Sequence, residues 1–253
     1  MINPIFERLV LLSGKEGLEK LSRTKVLIFG AGGVGSWAAE AFVRSGIGKI
    51  GIIDNDTVCA SNINRQIEAT SLTIGEPKAS ALKKRLLEIN PECQVTARDD
   101  FFCLENACNF DIESADYVID AIDTLPYKLD LIETVTNSGA VLFSSMGMAF
   151  KIDPAQIKAA SIWKTDGCPL ARLVRQGLRK RSFSGDFTVV YSTEQKTKNK
   201  EQGAVNKEQR TENREQSAER QNFGKTVNGS IVTVTAVAGF YLASLVFNSV
   251  IEK

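Results

Sequence analysis

A glycine-rich stretch, GAGGVG at residues 30–35, constrains the fold of this chain more than any other feature. It follows a short apolar run, KVLIFG, and precedes a helical pattern, SWAAEAFVRSG. Glycines at this spacing between a strand and a helix let the backbone approach a phosphate, while the helix N-terminus supplies N–H donors and partial positive charge. The alternative is a tight strand-to-helix turn with no ligand. The candidate phosphate-binding positions are Gly30, Gly32, Gly33 and Gly35.

Strand-like apolar runs alternate with helical patterns between residues 25 and 145. The runs KIGIID, QVTARDD, DYVIDAID and AVLFSS follow KVLIFG, with helical patterns such as KASALKKRLLEIN and YKLDLIETVTNSG between them. Buried parallel strands read as apolar runs, and this alternation is typical of a doubly wound sheet. We expect an α/β fold with a Rossmann-like, mostly parallel sheet and flanking helices. Residues 6–23 add one or two short amphipathic helices.

Two stretches in the last quarter of the chain depart from this alternation. Residues 194–221 contain no aromatic side chain and mix Lys and Arg with Glu and Gln, which predicts a mobile insertion or, alternatively, a solvated helix. One domain is then expected from residues 1–193 and 222–253. The final run, GSIVTVTAVAGFYLASLVFNSVIEK, is long enough to span a bilayer, but its polar residues and Gly239 favour a buried C-terminal extension, as a last core helix or a helix plus strand.

Composition excludes several kinds of chemistry. The chain has 253 residues, a formal net charge of +1 and no histidine, so it has no strong overall attraction to nucleic acid and no Ser-His-Asp or Cys-His device. Its five cysteines form no C-x-x-C pair, which argues against a disulfide framework and a cysteine-built zinc site. Reduced thiols and a start without a secretory pattern predict a cytoplasmic protein.

The stretch DNDTVCASNINRQ, residues 54–66, is unusually rich in hydrogen-bonding side chains. Asp54 ends the second predicted strand, where a carboxylate bonds a ribose hydroxyl in nucleotide-binding folds. Cationic side chains beyond the glycine turn suit a triphosphate better than a dinucleotide, so the sequence favours ATP over NAD, although each charge alone has a surface ion pair as its alternative. The further candidate ATP-binding residues are Asp56, Asn62, Arg65, Gln66 and Lys78.

Another carboxylate, Asp123 in DAID, follows the predicted strand DYVIDAID. It belongs to the carboxyl edge of the sheet, where doubly wound folds bind ligands. We expect Asp123 to hold Mg²⁺ against the phosphates, with Asp120 as the weaker candidate.

Five motifs together resemble the ubiquitin-activating-type adenylating enzymes. They are the glycine turn, R-x-x-x-x-x-G-x-x-G-x-x-x-L from Arg8, D-x-D-x-V-x-x-S-N-x-N-R-Q from Asp54, G-x-x-K ending at Lys78, and D-A-I-D ending at Asp123. The resemblance implies magnesium near Asp123 and a homodimer in which Arg8 reaches across the interface into the partner's active site. It also implies that ATP is bound by Gly32, Asp54, Asn62, Arg65, Gln66 and Lys78. Its catalytic residues would be Arg8, Arg65, Lys78 and Asp123.

Within that group, GVGSWAAEAFVRSGIGKIGIIDNDTVCASNINRQI, INPECQV and KIDPAQI most resemble the tRNA threonylcarbamoyladenosine dehydratases. This resemblance implies that the carboxylate of threonylcarbamoyladenosine, at position 37 of certain tRNAs, attacks the α-phosphate of ATP. Ring closure on the acyl-adenylate then expels AMP, with net loss of water. Two alternatives are adenylation of the C-terminal glycine of a ubiquitin-like or sulfur-carrier protein, and a noncatalytic nucleotide-binding module.

A tRNA substrate requires a cationic surface. The helical stretch from Leu170 supplies candidate phosphate contacts at Arg172, Arg175, Arg179, Lys180 and Arg181. A solvated amphipathic helix is the alternative interpretation. Cys168 lies where ubiquitin-activating relatives place a thioester cysteine, and we interpret it as incidental. A sulfur-relay protein is a further candidate partner, and membrane association is the less favoured use of the apolar C-terminal run.

Overall fold

A seven-stranded sheet organises the computed structural model, which describes residues 3–195 and 228–252. The strands are Lys25–Phe29 (β1), Lys49–Ile53 (β2), Gln94–Arg98 (β3), Tyr117–Asp120 (β4), Val141–Ser145 (β5), Ile157–Ser161 (β6) and Thr188–Ser192 (β7). Their order is β3-β2-β1-β4-β5-β7-β6, and every pair is parallel except β6 with β7. The expected doubly wound sheet is confirmed. The strand order reverses between β1 and β4, the place where such sheets bind ligands.

Six α-helices flank this sheet in the described part of the chain. They are Glu7–Arg23 (α1), Gly35–Arg44 (α2), Lys78–Ile89 (α3), Leu125–Ser138 (α4), Pro169–Lys180 (α5) and Val232–Glu252 (α6). The patterns that predicted α2, α3 and α4 are confirmed. Helix α1 is broken at Gly14, where φ is 73°. This agrees with the expectation of one or two short helices.

Alternate residues of each central strand enter two different cores. In β1, Val26 and Ile28 pack into a core shared with α1, α2, α3 and α6. The intervening Leu27 and Phe29 pack into a second core, with α4 and α5. Because both faces of the sheet are covered, the central strands are apolar throughout, as the sequence indicated. The result is three layers with the sheet in the middle.

The apolar C-terminal run forms helix α6. By length and composition alone α6 could cross a membrane, and 50% of its most apolar 18-residue window is buried. A Cβ added to Gly239 would lie 2.6 Å from the carbonyl oxygen of Val34. The glycine therefore lets α6 approach the start of α2 closely, as glycines do at tight backbone contacts. The expected last core helix is confirmed, and no strand accompanies it in the described residues.

The predicted insertion at residues 194–221 lies outside the described residues apart from its first two members. Of these, Glu194 accepts backbone hydrogen bonds from Ile152 and Asp153 through Oε2, at 2.9 and 3.0 Å. The antiparallel edge pair of β6 and β7 was not predicted. It extends the sheet beyond β5 and so borders the second half of the ligand-binding edge.

Candidate active site

The four glycines of the glycine turn have two different structural roles. At Gly30 φ is 97°, and an added Cβ would lie 2.7 Å from the Ala121 carbonyl oxygen. At Gly35 an added Cβ would lie 1.9 Å from the carbonyl oxygen of Gly30. These two glycines make the tight turn possible. Gly32 and Gly33 instead line the open cleft above the start of α2, where a ligand could approach the backbone.

A cleft of about 1340 Å³ follows the carboxyl edge of the sheet. All the predicted ATP-binding residues line it except Gly35. The cleft begins at the glycine turn between β1 and α2 and continues past the loops that follow β4 and β5. Residues that are far apart in the chain therefore meet at one elongated site.

Asp54 braces the glycine turn from the end of β2. Its Oδ2 accepts a hydrogen bond from the Ala31 amide at 2.6 Å, and its Oδ1 accepts one from the Asp56 amide at 2.8 Å. Burial raises the pKa of Asp54, whereas the neighbouring Lys78 and these two amides oppose the rise. Two backbone donors thus fix a carboxylate at the cleft wall, in a position suited to accept further hydrogen bonds from a sugar.

Lys78 is the first residue of α3 and is 5% exposed. Its Nζ lies 2.9 Å from Oδ2 of Asp56, whose side chain is 47% exposed. Arg65 donates to the Ser61 carbonyl oxygen at 2.7 Å and to Asn64 Oδ1 at 2.9 Å. Both cations are therefore oriented before any ligand binds, which favours binding of an anion.

Two polar side chains complete this wall. Asn62 accepts a hydrogen bond from the Cys59 amide at 3.0 Å, which closes the turn before it. Gln66 is 6% exposed, and its Oε1 has no hydrogen-bond partner within residues 3–195 and 228–252. A buried acceptor without a partner is rare and costly in proteins, and a nucleotide supplies suitable donors through its ribose and base.

The two carboxylates after β4 have different environments. Asp120 is fully buried, forms an ion pair with Lys128 at 2.8 Å and accepts a hydrogen bond from Ser144 at 2.6 Å. Asp123 is exposed at the cleft and accepts a hydrogen bond from the Thr124 hydroxyl at 3.2 Å. Within the described residues no cluster of three metal-ligating side chains exists. One carboxylate together with phosphate oxygens and waters is nevertheless a common ligand set for Mg²⁺.

Arg8 lies outside the cleft of its own chain. It is exposed on α1, where Leu11 and Leu12 are 88% and 78% exposed. Residues three and four positions apart share a helix face, so the three side chains form one surface. Such a surface suits contact with a second copy of the chain, and the homodimer with Arg8 given across it stays a prediction.

Sequence reasoning missed three residues of the cleft. Phe101 and Tyr127 pack with ring centroids 5.6 Å apart and are 44% and 38% exposed, which leaves aromatic surface available for a base. Lys151, in the loop after β5, is 3% exposed. These positions follow different strands, and although Lys151 begins the stretch KIDPAQI that carries the resemblance, nothing in the sequence assigned it to the cleft. Only the fold brings them together with the glycine turn.

The predicted tRNA-contacting residues of α5 fall into two groups. Arg172 and Lys180 are exposed, and Arg179 is exposed with its guanidinium 5.6 Å from the Trp163 ring centroid. Two others are held by internal partners: Arg175 donates to the Thr165 hydroxyl, and Arg181 pairs with Asp130 and Glu133, each at 2.7 Å. The first three are therefore the better candidates for phosphate contacts. Cys168, at the start of α5, is buried.

Glu68 is a buried carboxylate that interacts electrostatically with Lys78, and its titration can be tested by the pH dependence of stability. It is 2% exposed, and burial raises its pKa from 4.5 to about 7, although its own backbone amide, Lys78 and the Ser36 hydroxyl oppose the rise. The folded state thus holds the proton more tightly than the unfolded state. The contribution of Glu68 to the free energy of unfolding is fully present below pH 4.5 and is lost as the pH rises through about 7, by roughly 3 kcal/mol.

We expect Glu68→Gln to remove this dependence. Urea unfolding of both proteins from about pH 5 to about pH 8 should show the variant gaining free energy of unfolding relative to the wild type as the pH rises. Because the other carboxylates are common to both proteins, the difference isolates Glu68. If the difference in free energy of unfolding between the two proteins stays constant with pH, the raised pKa of Glu68 is contradicted.

Comparisons with known proteins place this chain in a family. A model described as the ThiF family matches residues 6–253. This chain belongs to the ThiF family. Its ThiF-family relatives include the tRNA threonylcarbamoyladenosine dehydratase of Bacillus subtilis, 44% identical over 189 residues that cover 75% of this chain and 74% of the relative. The enzyme of the same name from Haemophilus influenzae is 36% identical over 243 residues, covering 94% and 90%.

A solved structure extends this ThiF-family similarity to the whole fold. The Escherichia coli tRNA N6-threonylcarbamoyladenosine dehydratase, crystallised with ATP, superposes with a TM-score of 0.82 and 32% sequence identity. The alignment covers 98% of this chain and 94% of that one. The same enzyme has also been crystallised with AMP. The expected family and fold are thereby confirmed.

Proposed function

We propose that this protein is an ATP-dependent tRNA threonylcarbamoyladenosine dehydratase. The observation that carries the proposal is similarity over nearly the whole chain to an enzyme of that name crystallised with ATP. The cleft supports it, because a glycine turn, a braced carboxylate and two oriented cations converge at one sheet edge. A cytoplasmic location, where tRNA is modified, fits the reduced thiols expected from the sequence.

The reaction begins with nucleophilic attack by the substrate carboxylate on the α-phosphorus of ATP. This carboxylate is already ionised at neutral pH, so no general base is required, in agreement with a chain that lacks histidine. Lys78 and Arg65 stabilise the negative charge that develops on the phosphates as pyrophosphate leaves. The carbamoyl group then closes on the activated acyl carbon and expels AMP, so the nucleoside loses one water in total.

Magnesium fits the carboxylate at Asp123. This side chain is open to the cleft, whereas Asp120 is occupied by Lys128 and Ser144. Asp123 would hold the ion, which when bound supplies charge neutralisation to the phosphates. The predicted homodimer would add Arg8 to the same phosphates, and a sulfur-relay protein is a further proposed partner.

The second candidate function is adenylation of the C-terminal glycine of a small carrier protein. The chemistry of the first step is the same, since a carboxylate attacks ATP in both. The sulfur-carrier activators usually hold zinc with two C-x-x-C pairs, and this sequence contains neither pair. The missing zinc site favours the tRNA substrate.

Mass spectrometry of the product nucleoside tests the proposal. Purified protein is incubated with ATP, Mg²⁺ and tRNA that bears threonylcarbamoyladenosine, and the digested nucleosides are analysed. We expect a nucleoside lighter by one water, formed only when ATP is present. Pyrophosphate exchange that requires a carrier protein and ignores the tRNA would favour the second function instead.

Helix α5 provides the test of tRNA binding. Replacing Arg172, Arg179 and Lys180 with Gln removes three exposed charges, so we expect weaker tRNA binding. The plot of log affinity against log salt should also become less steep, by roughly 0.7–0.9 per lost phosphate contact. The matched control replaces three exposed lysines outside α5, Lys49, Lys84 and Lys158, with Gln and should keep the wild-type affinity. Unchanged affinity in the α5 variant would reject this surface.

A further inference from the structure

Lys151 is a buried cation that the nucleotide site does not use. It is 3% exposed, yet it lines the cleft, and its Nζ has no hydrogen-bond partner in the part of the chain that the structure describes. No carboxylate among those residues lies within ion-pair distance of it. A buried ammonium group without a partner is unfavourable by several kcal/mol in general, and it is relieved when an anion binds.

The backbone on both sides of Lys151 is fixed. Phe150 has a positive φ of 59°, and its amide donates to the Gly229 carbonyl oxygen at 2.9 Å. On the other side, the amides of Ile152 and Asp153 donate to Glu194. A left-handed non-glycine residue costs of order 1–3 kcal/mol and is typical of functional sites, where surrounding contacts maintain it. The lysine is thus positioned by the fold and does not hang from a loose loop.

Lys151 lies in the loop after β5, away from the residues proposed to bind the triphosphate. The glycine turn follows β1 and Lys78 lies beyond β2, whereas Lys151 lies beyond β5 on the other side of the reversal in strand order. Neighbouring strands are about 4.8 Å apart, so β5 lies roughly 10 Å from β1 across β4. The nucleotide occupies the β1–β2 half of the cleft through the glycine turn and Asp54. The β4–β5 half is left for the second substrate.

We propose that Lys151 binds the carboxylate of the acyl substrate and holds it beside the α-phosphate of ATP. This inference rests on the proposed function. In the proposed reaction the threonyl carboxylate of the tRNA must lie in that half of the cleft. Lys151 supplies a cation to bind it. Rotation of the lysine side chain would bring the buried Nζ to the cleft surface, where one oxygen of the carboxylate bonds to it while the other attacks phosphorus. Lys151 therefore selects the threonylcarbamoyl group against an unmodified adenosine.

Lys151→Met tests this assignment because it removes the charge and keeps the length of the side chain. We expect the rate of water loss in a single turnover to fall about 100-fold, the range for a lost charge-assisted hydrogen bond to a reacting group. ATP affinity, measured by calorimetry, should stay within about twofold of the wild type. Lys151→Arg keeps the charge and should recover part of the rate. Lys158→Met, an exposed lysine on β6, is the matched control.

Binding of two tRNAs distinguishes recognition from a structural role. The wild type should bind tRNA with threonylcarbamoyladenosine more tightly than tRNA with plain adenosine, and Lys151→Met should lose that preference. Equal weakening for both tRNAs, a tenfold or greater loss of ATP affinity, or a rate of water loss within about threefold of the wild type would each overturn the inference. If the wild type itself removes no water, the proposed function fails, which is a different result from an active wild type with an active Lys151→Met.

Discussion

Lys78→Ala is expected to reduce ATP-dependent water loss from the modified nucleoside by at least about 1000-fold. Lys78 is almost completely buried, lines the cleft, and its Nζ lies 2.9 Å from Oδ2 of Asp56. In the proposed reaction, its removal leaves the charge of the departing pyrophosphate without this buried cation. Mass spectrometry of the nucleoside measures the rate, and calorimetry measures the accompanying loss of ATP affinity.

The fold should survive this substitution. Alanine favours a helix at the first turn of α3, and Asp56 is half exposed, so water replaces the lost ion pair at small cost. Lys84→Ala, an exposed lysine on the same helix, is the matched control and should retain full activity. A folded Lys78→Ala protein with normal activity would contradict the assignment of Lys78 to the phosphates.

Lys128→Met is expected to destabilise the folded state by about 3–5 kcal/mol, because it leaves the Asp120 carboxylate buried without its cation. Both side chains of this pair are 0% exposed. The pair also fixes the turn before Asp123: Asp120 Oδ1 accepts from the Ile122 amide at 3.1 Å, and Lys128 Nζ donates to the Ile122 carbonyl oxygen at 3.0 Å. Urea unfolding measures the loss of stability.

The double variant Asp120→Asn with Lys128→Met provides the control. It removes both charges and keeps their approximate volumes, so at least half of the lost stability should return. A single variant within about 1 kcal/mol of the wild type would show that the buried pair contributes little. If stability returns in the double variant but activity does not, the pair is also required to position Asp123.

The first half of the sheet was predictable because its signals are local. A buried parallel strand is an apolar run, and GAGGVG between such a run and a helical pattern predicted the turn that Gly30 and Gly35 make. The edge pair β6–β7 gave no comparable signal. The two strands run in opposite directions and are separated by α5, so their pairing depends on contacts that are distant in the chain.

One side of the cleft was likewise predictable, because its polar residues lie in one continuous stretch, residues 54–66, with Lys78 shortly after it. The opposite wall was not, because Phe101, Tyr127 and Lys151 each follow a different strand and become neighbours only through the parallel sheet. The environment of helix α6 could not be predicted from its sequence either. Its composition permits either a membrane span or a core helix, and the close approach at Gly239 to α2 decides for the core.

The fate of a heavy-oxygen label tests the central claim, that the substrate carboxylate attacks the α-phosphorus of ATP. The threonyl carboxylate of the tRNA substrate is labelled, and the nucleotide products are analysed by mass spectrometry after one turnover. Attack at the α-phosphorus makes the labelled oxygen part of the acyl-adenylate, so ring closure releases AMP that carries one labelled oxygen. Unlabelled AMP, or ADP with the label in inorganic phosphate, would contradict the account.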